Sequence, residues 1–348
     1  MYLVPLLLLY SCALVAGGKS LGAGTGLWVW YDSMAPHEQS IFTNASALDE
    51  LLDFVSAASA EDRSITTIYV QAQGYMTTTA GRLTLAALLK RVSEADASLR
   101  VGFAYGWSKH YPDASVAATT HAAVAFAAGA ELLLPLAASY PPFSVIFDVE
   151  PDPAHVEQYQ QLADLLTQVE AATAHFRDRV AFASTSSWAF ATHNVSCAER
   201  GWVTMMECVA SNVATNHLMD FRSFVTKGSP PGVDGIVPLA QPALAAALKA
   251  GTKVSLVVET NCGLGAYTAK LSFCNTSLAT LRATLASAAD AFAAGPFSGA
   301  IDPATPFVIE DWRGLEALVA HDAARSSAGG EVLGRGEFPR VNRARWRL

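Results

Sequence analysis

The sequence predicts an α/β chain folded as a single (β/α)8 barrel, and three observations predict it. Runs rich in Val, Ile, Phe, Tyr and Trp recur along the chain; helical patterns fill the intervals; and the first run is not followed by the glycine-rich turn of an open, doubly wound sheet.

The strand-like runs are GLWVWY (26–31), TIYVQAQG (67–74), LRVGFAYGW (99–107), FSVIFDVE (143–150), RVAFAST (179–185), a weaker NHLMDF (216–221), KVSLVVET (253–260) and FSGAID (297–302). Gly, Pro or polar residues bound most of them. Between them, residues 45–60 place Leu48, Leu51, Leu52 and Val55 on one helical face, and residues 83–97 do the same with Leu85, Leu88, Leu89 and Val92. Further helices are expected over 153–176, 202–211, 239–250, 277–294 and 311–324. The first run ends in Trp30-Tyr31-Asp32-Ser33, which offers no cradle for a phosphate.

The chain divides into a leader, a barrel over 24–325 and a flexible basic tail over 326–348. MYLVPLLLLYSCALVA, followed by Gly17-Gly18, reads as a secretory signal peptide over 1–18; an uncleaved anchor is the alternative, since no Lys or Arg precedes the apolar run. The tail lacks the long hydrophobic end of a lipid-anchor signal. No membrane span is therefore expected in the mature chain, and secretion is. Three sequons, at Asn44, Asn194 and Asn275, fit that route. So do four cysteines beyond the leader, with Cys197–Cys208 and Cys262–Cys274 the expected short-loop disulfides. A zinc site is the competing reading, but it lacks tight Cys-x-x-Cys spacing.

A chain of 348 residues, 51% hydrophobic and 16% charged, supports a large core. Its net charge of -8 argues against nucleic acid as a partner. No motif calls for a cofactor or a metal, and nothing sets an oligomeric state.

In such a barrel the chemistry sits at the carboxyl ends of the strands. Those ends carry Trp30 and Asp32; Gln71 and Gln73; Trp107; Asp148 and Glu150; Trp188; Arg222; Glu259 and Asn261; and Asp302, with Glu310 and Trp312 just beyond. Carboxylates and amides bond sugar hydroxyls, while flat rings stack on the apolar faces of pyranoses. Glycoside cleavage uses two carboxyl groups, one to protonate the leaving oxygen and one to attack or activate water. Glu150 suits the acid; Asp148, one layer deeper, would raise its pKa; and Glu259, three strands away, is the candidate second carboxylate. The plainer reading of Asp148 is a carboxylate bonded to backbone amides of a loop. His217 shares the parity of Met219 and Phe221 and is expected inside the barrel.

VIFDVEP resembles the fourth strand of glycoside-hydrolase-like TIM barrels, chitinase-like and lysozyme-like enzymes among them, where an Asp-x-Glu ends the strand. The order Asp148-Val149-Glu150-Pro151, Met219-Asp220-Phe221-Arg222, Glu259-Thr260 is also similar to uncharacterised secreted barrels with D-[IV]-E-P, M-x-Y-R and E-T segments. The resemblance implies Glu150 as acid, with Asp148 orienting a substrate acetamido group. This chain departs from the chitinase pattern in carrying Phe143 and Ile146 where that pattern has Asp, and Phe221 where it has Tyr. The expected partner is a carbohydrate substrate. The alternatives are a carbohydrate-binding barrel without catalysis and a metal-dependent phosphodiesterase barrel, whose Asp148, Glu150 and Glu259 would hold Mg²⁺ or Ca²⁺.

Overall fold

A computed structural model describes residues 24–29, 40–60, 65–76, 78–106, 133–136, 138–151, 155–174, 180–225, 235–262, 271–274, 276–310 and 312–327. The leader, most of the tail and the alanine-rich stretch from 114 to 132 lie outside them.

Eight parallel strands close into a barrel: β1 (Thr25–Val29), β2 (Ile65–Gln71), β3 (Arg100–Gly106), β4 (Phe143–Asp148), β5 (Val180–Ser187), then β8 (Thr215–Met219), β9 (Lys253–Glu259) and β10 (Phe307–Glu310), which pairs back onto β1. A short antiparallel hairpin, β6 (Asn194–Cys197) and β7 (Gly201–Thr204), is inserted between β5 and β8. Closure removes every open edge from the main sheet and excludes the doubly wound alternative.

The helices are α1 (Ala45–Ala60), a single turn α2 (Gln73–Met76), α3 (Thr79–Ala95), α4 (Val156–Thr173), α5 (Met205–Asn212), α6 (Ile236–Ala250), α7 (Leu278–Ala294) and α8 (Trp312–Ser327). Leu48, Leu51, Leu52 and Val55 of α1, and Leu85, Leu88, Leu89 and Val92 of α3, are buried as their spacing predicts. Each such side chain contributes about 1.5–3 kcal/mol by leaving water. The α3 start lies earlier than its apolar pattern suggests because Thr78 caps it, accepting from the Gly81 N–H at 3.0 Å. Arg313 of α8 donates to Glu50 of α1 at 2.8 Å, linking the first and last helices.

Two expected elements differ. FSGAID is not the eighth strand: residues 298–300 form a 3-10 turn, Ile301 makes one bridge to Val254, and the strand is FVIE at 307–310. The helix expected from 202 starts at Met205, because Thr204 and Glu207 form a reciprocal capping box and Trp202 belongs to β7.

Strand alternation sorts the core into two layers. One parity faces the helices. The other fills the barrel with Trp28, Tyr69, Ala104, Ile146, Ala183, Val257 and Val308. Tyr69 fits only because two neighbouring strands carry glycine: a Cβ on Gly102 or Gly26 would stand 2.3 or 2.6 Å from its ring. His217 meets the Tyr69 ring edge-on at 4.9 Å and that of Trp28 at 6.3 Å, inside the barrel as its parity predicts. The two disulfides pair as expected, with Cα atoms 5.7 Å apart for Cys197–Cys208 and 5.2 Å for Cys262–Cys274. Among the described residues, no helix is long and apolar enough to cross a membrane.

Candidate active site

β4 sets the centre. Phe143, Val145 and Phe147 pack into the outer layer, so Ser144, Ile146 and Asp148 face inward. Asp148 ends the strand at the carboxyl rim and is completely buried. The Thr185 hydroxyl, from neighbouring β5, donates to its Oδ1 at 2.9 Å, and its Oδ2 has no partner among the described residues. Burial pushes the Asp148 carboxyl up to about 8, the charge of Glu150 adds to the rise, and the Thr185 bond opposes it. Asp148 therefore favours its protonated form far more than an exposed Asp does. Glu150 follows two residues beyond the strand end and is partly open to water, and loss of water around its carboxyl raises its pKa as well. Beneath them, burial lowers His217 to about 3, so its imidazole is neutral throughout the physiological range.

The raised carboxyl gives a pH signature. An acid held above its unfolded value favours the fold while protonated in both states, and the native state loses that advantage as pH rises from about 4 through about 8. Asp148→Asn, which cannot ionise, should flatten this part of the stability curve. Melting temperatures measured between pH 4 and pH 9 should converge on or exceed wild type at the alkaline end; a parallel offset at every pH would contradict the assignment.

Other expected residues reach the same rim. Gln71 ends β2, with its Oε1 buried and unpartnered among the described residues. Trp188 follows β5 directly and is exposed, and Arg222 follows β8, its guanidinium donating to the Phe221 carbonyl at 2.6 Å. Glu259 ends β9, shares the inward parity of Val257 and is buried; its Oε1 accepts the Asn261 N–H at 2.6 Å. Glu310 ends β10 directly opposite Glu259 in register. Gln73 opens α2, but its side chain lies outside the described residues, as do Trp30, Asp32, Trp107 and Asn275.

Two placements are corrections. Asp302 does not crown the eighth strand. Its N–H bonds the Val254 carbonyl near the start of β9, so it sits at the opposite end of the barrel, where its carboxylate caps the turn at Ala304. Trp312 is buried in the outer layer beneath the Arg313 guanidinium, away from the opening. Thr185 was not among the expected site residues; its inward parity, shared with Ala183, is the signal that finds it.

No protein-family model matches the chain, and no curated protein does. Solved structures match its fold. An exo-β-1,4-mannosidase from Opitutaceae bacterium strain TAV5 superposes with a TM-score of 0.50 at 12% identity, over 83% of this chain and 51% of that one. A GH18 chitinase from Cycas revoluta in complex with (GlcNAc)3 gives 0.40 at 11% identity, over 68% of each chain. A sugar phosphate isomerase/epimerase from Parabacteroides distasonis ATCC 8503 gives 0.42 at 9%, over 81% of this chain and 99% of that one. The chain spans about half the length of the mannosidase. At these identities the likeness establishes the barrel fold and nothing finer.

Proposed function

We propose that the chain is a secreted glycoside hydrolase acting by carboxylate acid/base catalysis. The observation that carries this reading is the pair of acids at the end of β4: a buried Asp148 whose carboxyl is raised, and Glu150 two residues beyond it, raised as well, at the rim where β9 presents Glu259. Glu150 protonates the leaving oxygen of a glycosidic bond. Asp148 donates or accepts through its Oδ2, and loss of water around Glu150 makes that carboxyl a weaker acid than usual, as a proton donor needs. Glu259, fixed by the Asn261 N–H, is the second carboxylate. Gln71 and Arg222 hold hydroxyls, and exposed Trp188 offers a ring to a sugar face. The disulfides accord with the oxidising compartment that secretion implies.

The test is hydrolysis of a panel of oligosaccharides by the full chain and by Glu259→Gln. Cleavage by wild type that falls by about 10²-fold or more in the variant is expected; equal rates would remove Glu259 from the reaction. A second reading, carbohydrate binding without turnover, draws on Phe221, which packs on the interior cluster and brings no hydroxyl to the opening. Calorimetric binding without cleavage across the panel would favour it. Among the described residues no three His, Cys, Asp or Glu side chains are grouped to hold a metal ion, so nothing there favours the phosphodiesterase alternative.

A further inference from the structure

The hairpin between β5 and β8 carries an exposed tryptophan that the fold does not use. Trp202 is 71% exposed, more than any other large apolar side chain among the described residues. Such a ring usually leaves water for a core or a partner. Its surroundings name one. In the antiparallel register Ser196 stands opposite Trp202, and Asn194 stands opposite Thr204. Directly opposed residues share a face, so Asn194, Ser196, Trp202 and Thr204 project from one side of the hairpin, while Val195 and Cys197 are buried on the other. Asn194 and Ser196, both exposed, are the first and third residues of the sequon Asn194-Val195-Ser196. Trp202 is thus the diagonal cross-strand neighbour of the sequon asparagine, within about 7–8 Å, the reach of one large side chain.

We infer that Asn194 carries an N-linked glycan and that its first N-acetylglucosamine lies on the face of Trp202. The modifying step is transfer from a lipid-pyrophosphate-linked oligosaccharide. The Asn194 Nδ2 forms a bond to the anomeric carbon of the innermost sugar and gives up a proton. The carbon–oxygen bond to the pyrophosphate breaks, and the lipid pyrophosphate leaves with that electron pair. The C–H face of the sugar then covers the indole, removing apolar area from water on both. The platform is rigid. Cys197–Cys208 ties β6 to α5, and the Gln160 side chain of α4 bonds both the N–H and the carbonyl of Ser196, at 2.8 and 2.9 Å. The other described sequon has no such setting: Asn44 is half-buried at the start of α1, where its Oδ1 accepts the Ser46 N–H at 3.0 Å.

The experiment places the full chain behind a strong secretory leader in a eukaryotic host. Mass spectrometry of the Asn194 peptide, before and after glycan removal, reads occupancy. Melting temperature is then compared for wild type, Trp202→Ala, Asn194→Gln and the double variant, and again after an endoglycosidase has trimmed glycans to one N-acetylglucosamine. An occupied Asn194 is expected. Trp202→Ala should lower the melting temperature by about 2–4 °C in the glycosylated and trimmed proteins, and leave it unchanged on the Asn194→Gln background. A bare Asn194, or the same loss on both backgrounds, would overturn the inference.

Discussion

Glu150→Gln should reduce glycoside cleavage by about 10²–10⁴-fold, the span that one positioned general acid supplies. The amide keeps the size and most of the hydrogen bonding of the carboxyl but cannot deliver a proton to the leaving oxygen. The loss should therefore appear in kcat, with KM little changed. It should also be graded by leaving group: a substrate whose leaving oxygen departs easily as an anion needs less protonation, so the deficit should shrink on an activated aryl glycoside. Loss of the Glu150 charge should act on its neighbour as well. Repulsion from Glu150 is the second cause of the raised Asp148 carboxyl, so Asp148 should ionise at lower pH in the variant, although burial still holds it above the usual carboxylate range. A pH titration of wild type and variant, read through Tm between pH 4 and pH 9, tests this separately from activity. Undiminished cleavage by Glu150→Gln would remove Glu150 as the acid. An unchanged titration would show that Asp148 does not sense it.

What the sequence made legible follows the strength of its local signals. Strands buried on both faces read as continuous apolar runs, so β2, β3, β4, β5 and β9 stand out without alignment. Parity then placed Asp148 and His217 inside the barrel, while β4 stops at Asp148, so parity along the strand does not reach Glu150. β10 was hidden because it is four residues long and runs almost at once into α8, while FSGAID upstream has the length and composition of a strand but turns at Ser298 and Gly299. That misreading moved Asp302 to the wrong end of the barrel. It also left Glu310 beyond the strand, when its register opposite Glu259 puts it on the rim. The capping box Thr204-x-x-Glu207 was present in the sequence and marks the α5 start; apolar composition pulled the expected boundary back over Trp202. The bond from Thr185 to Asp148 joins residues 37 apart, a relation that only strand order reveals.

Trp28→Ala carries the largest expected cost to the fold. Trp28 is 1% exposed and is the bulkiest residue inside the barrel, where the small Gly26, Gly102, Ala104 and Ala183 leave volume for it and for Tyr69. Replacing an enclosed aromatic ring by a methyl group costs about 3–5 kcal/mol, because the lost transfer energy is joined by a cavity that the barrel closes only in part. Closed strands resist collapse, since each is held on both sides by its ladder. The cost should therefore fall toward the upper end of that range, readable as a lower urea midpoint at an unchanged m value. Trp188→Ala, of the same chemistry at an exposed rim position, should stay within about 0.5 kcal/mol of wild type. The two tryptophans also separate packing from binding. Trp28 and Tyr69 confine the His217 ring, and His217 adjoins Thr185 in the β5–β8 register, so the cavity opens under the group that bonds Asp148. A loosened floor should lower kcat along with stability in Trp28→Ala, whereas Trp188→Ala should raise KM alone. Were Trp28→Ala to lose less than about 1 kcal/mol, the interior would not be the close-packed layer that supports the Asp148 site.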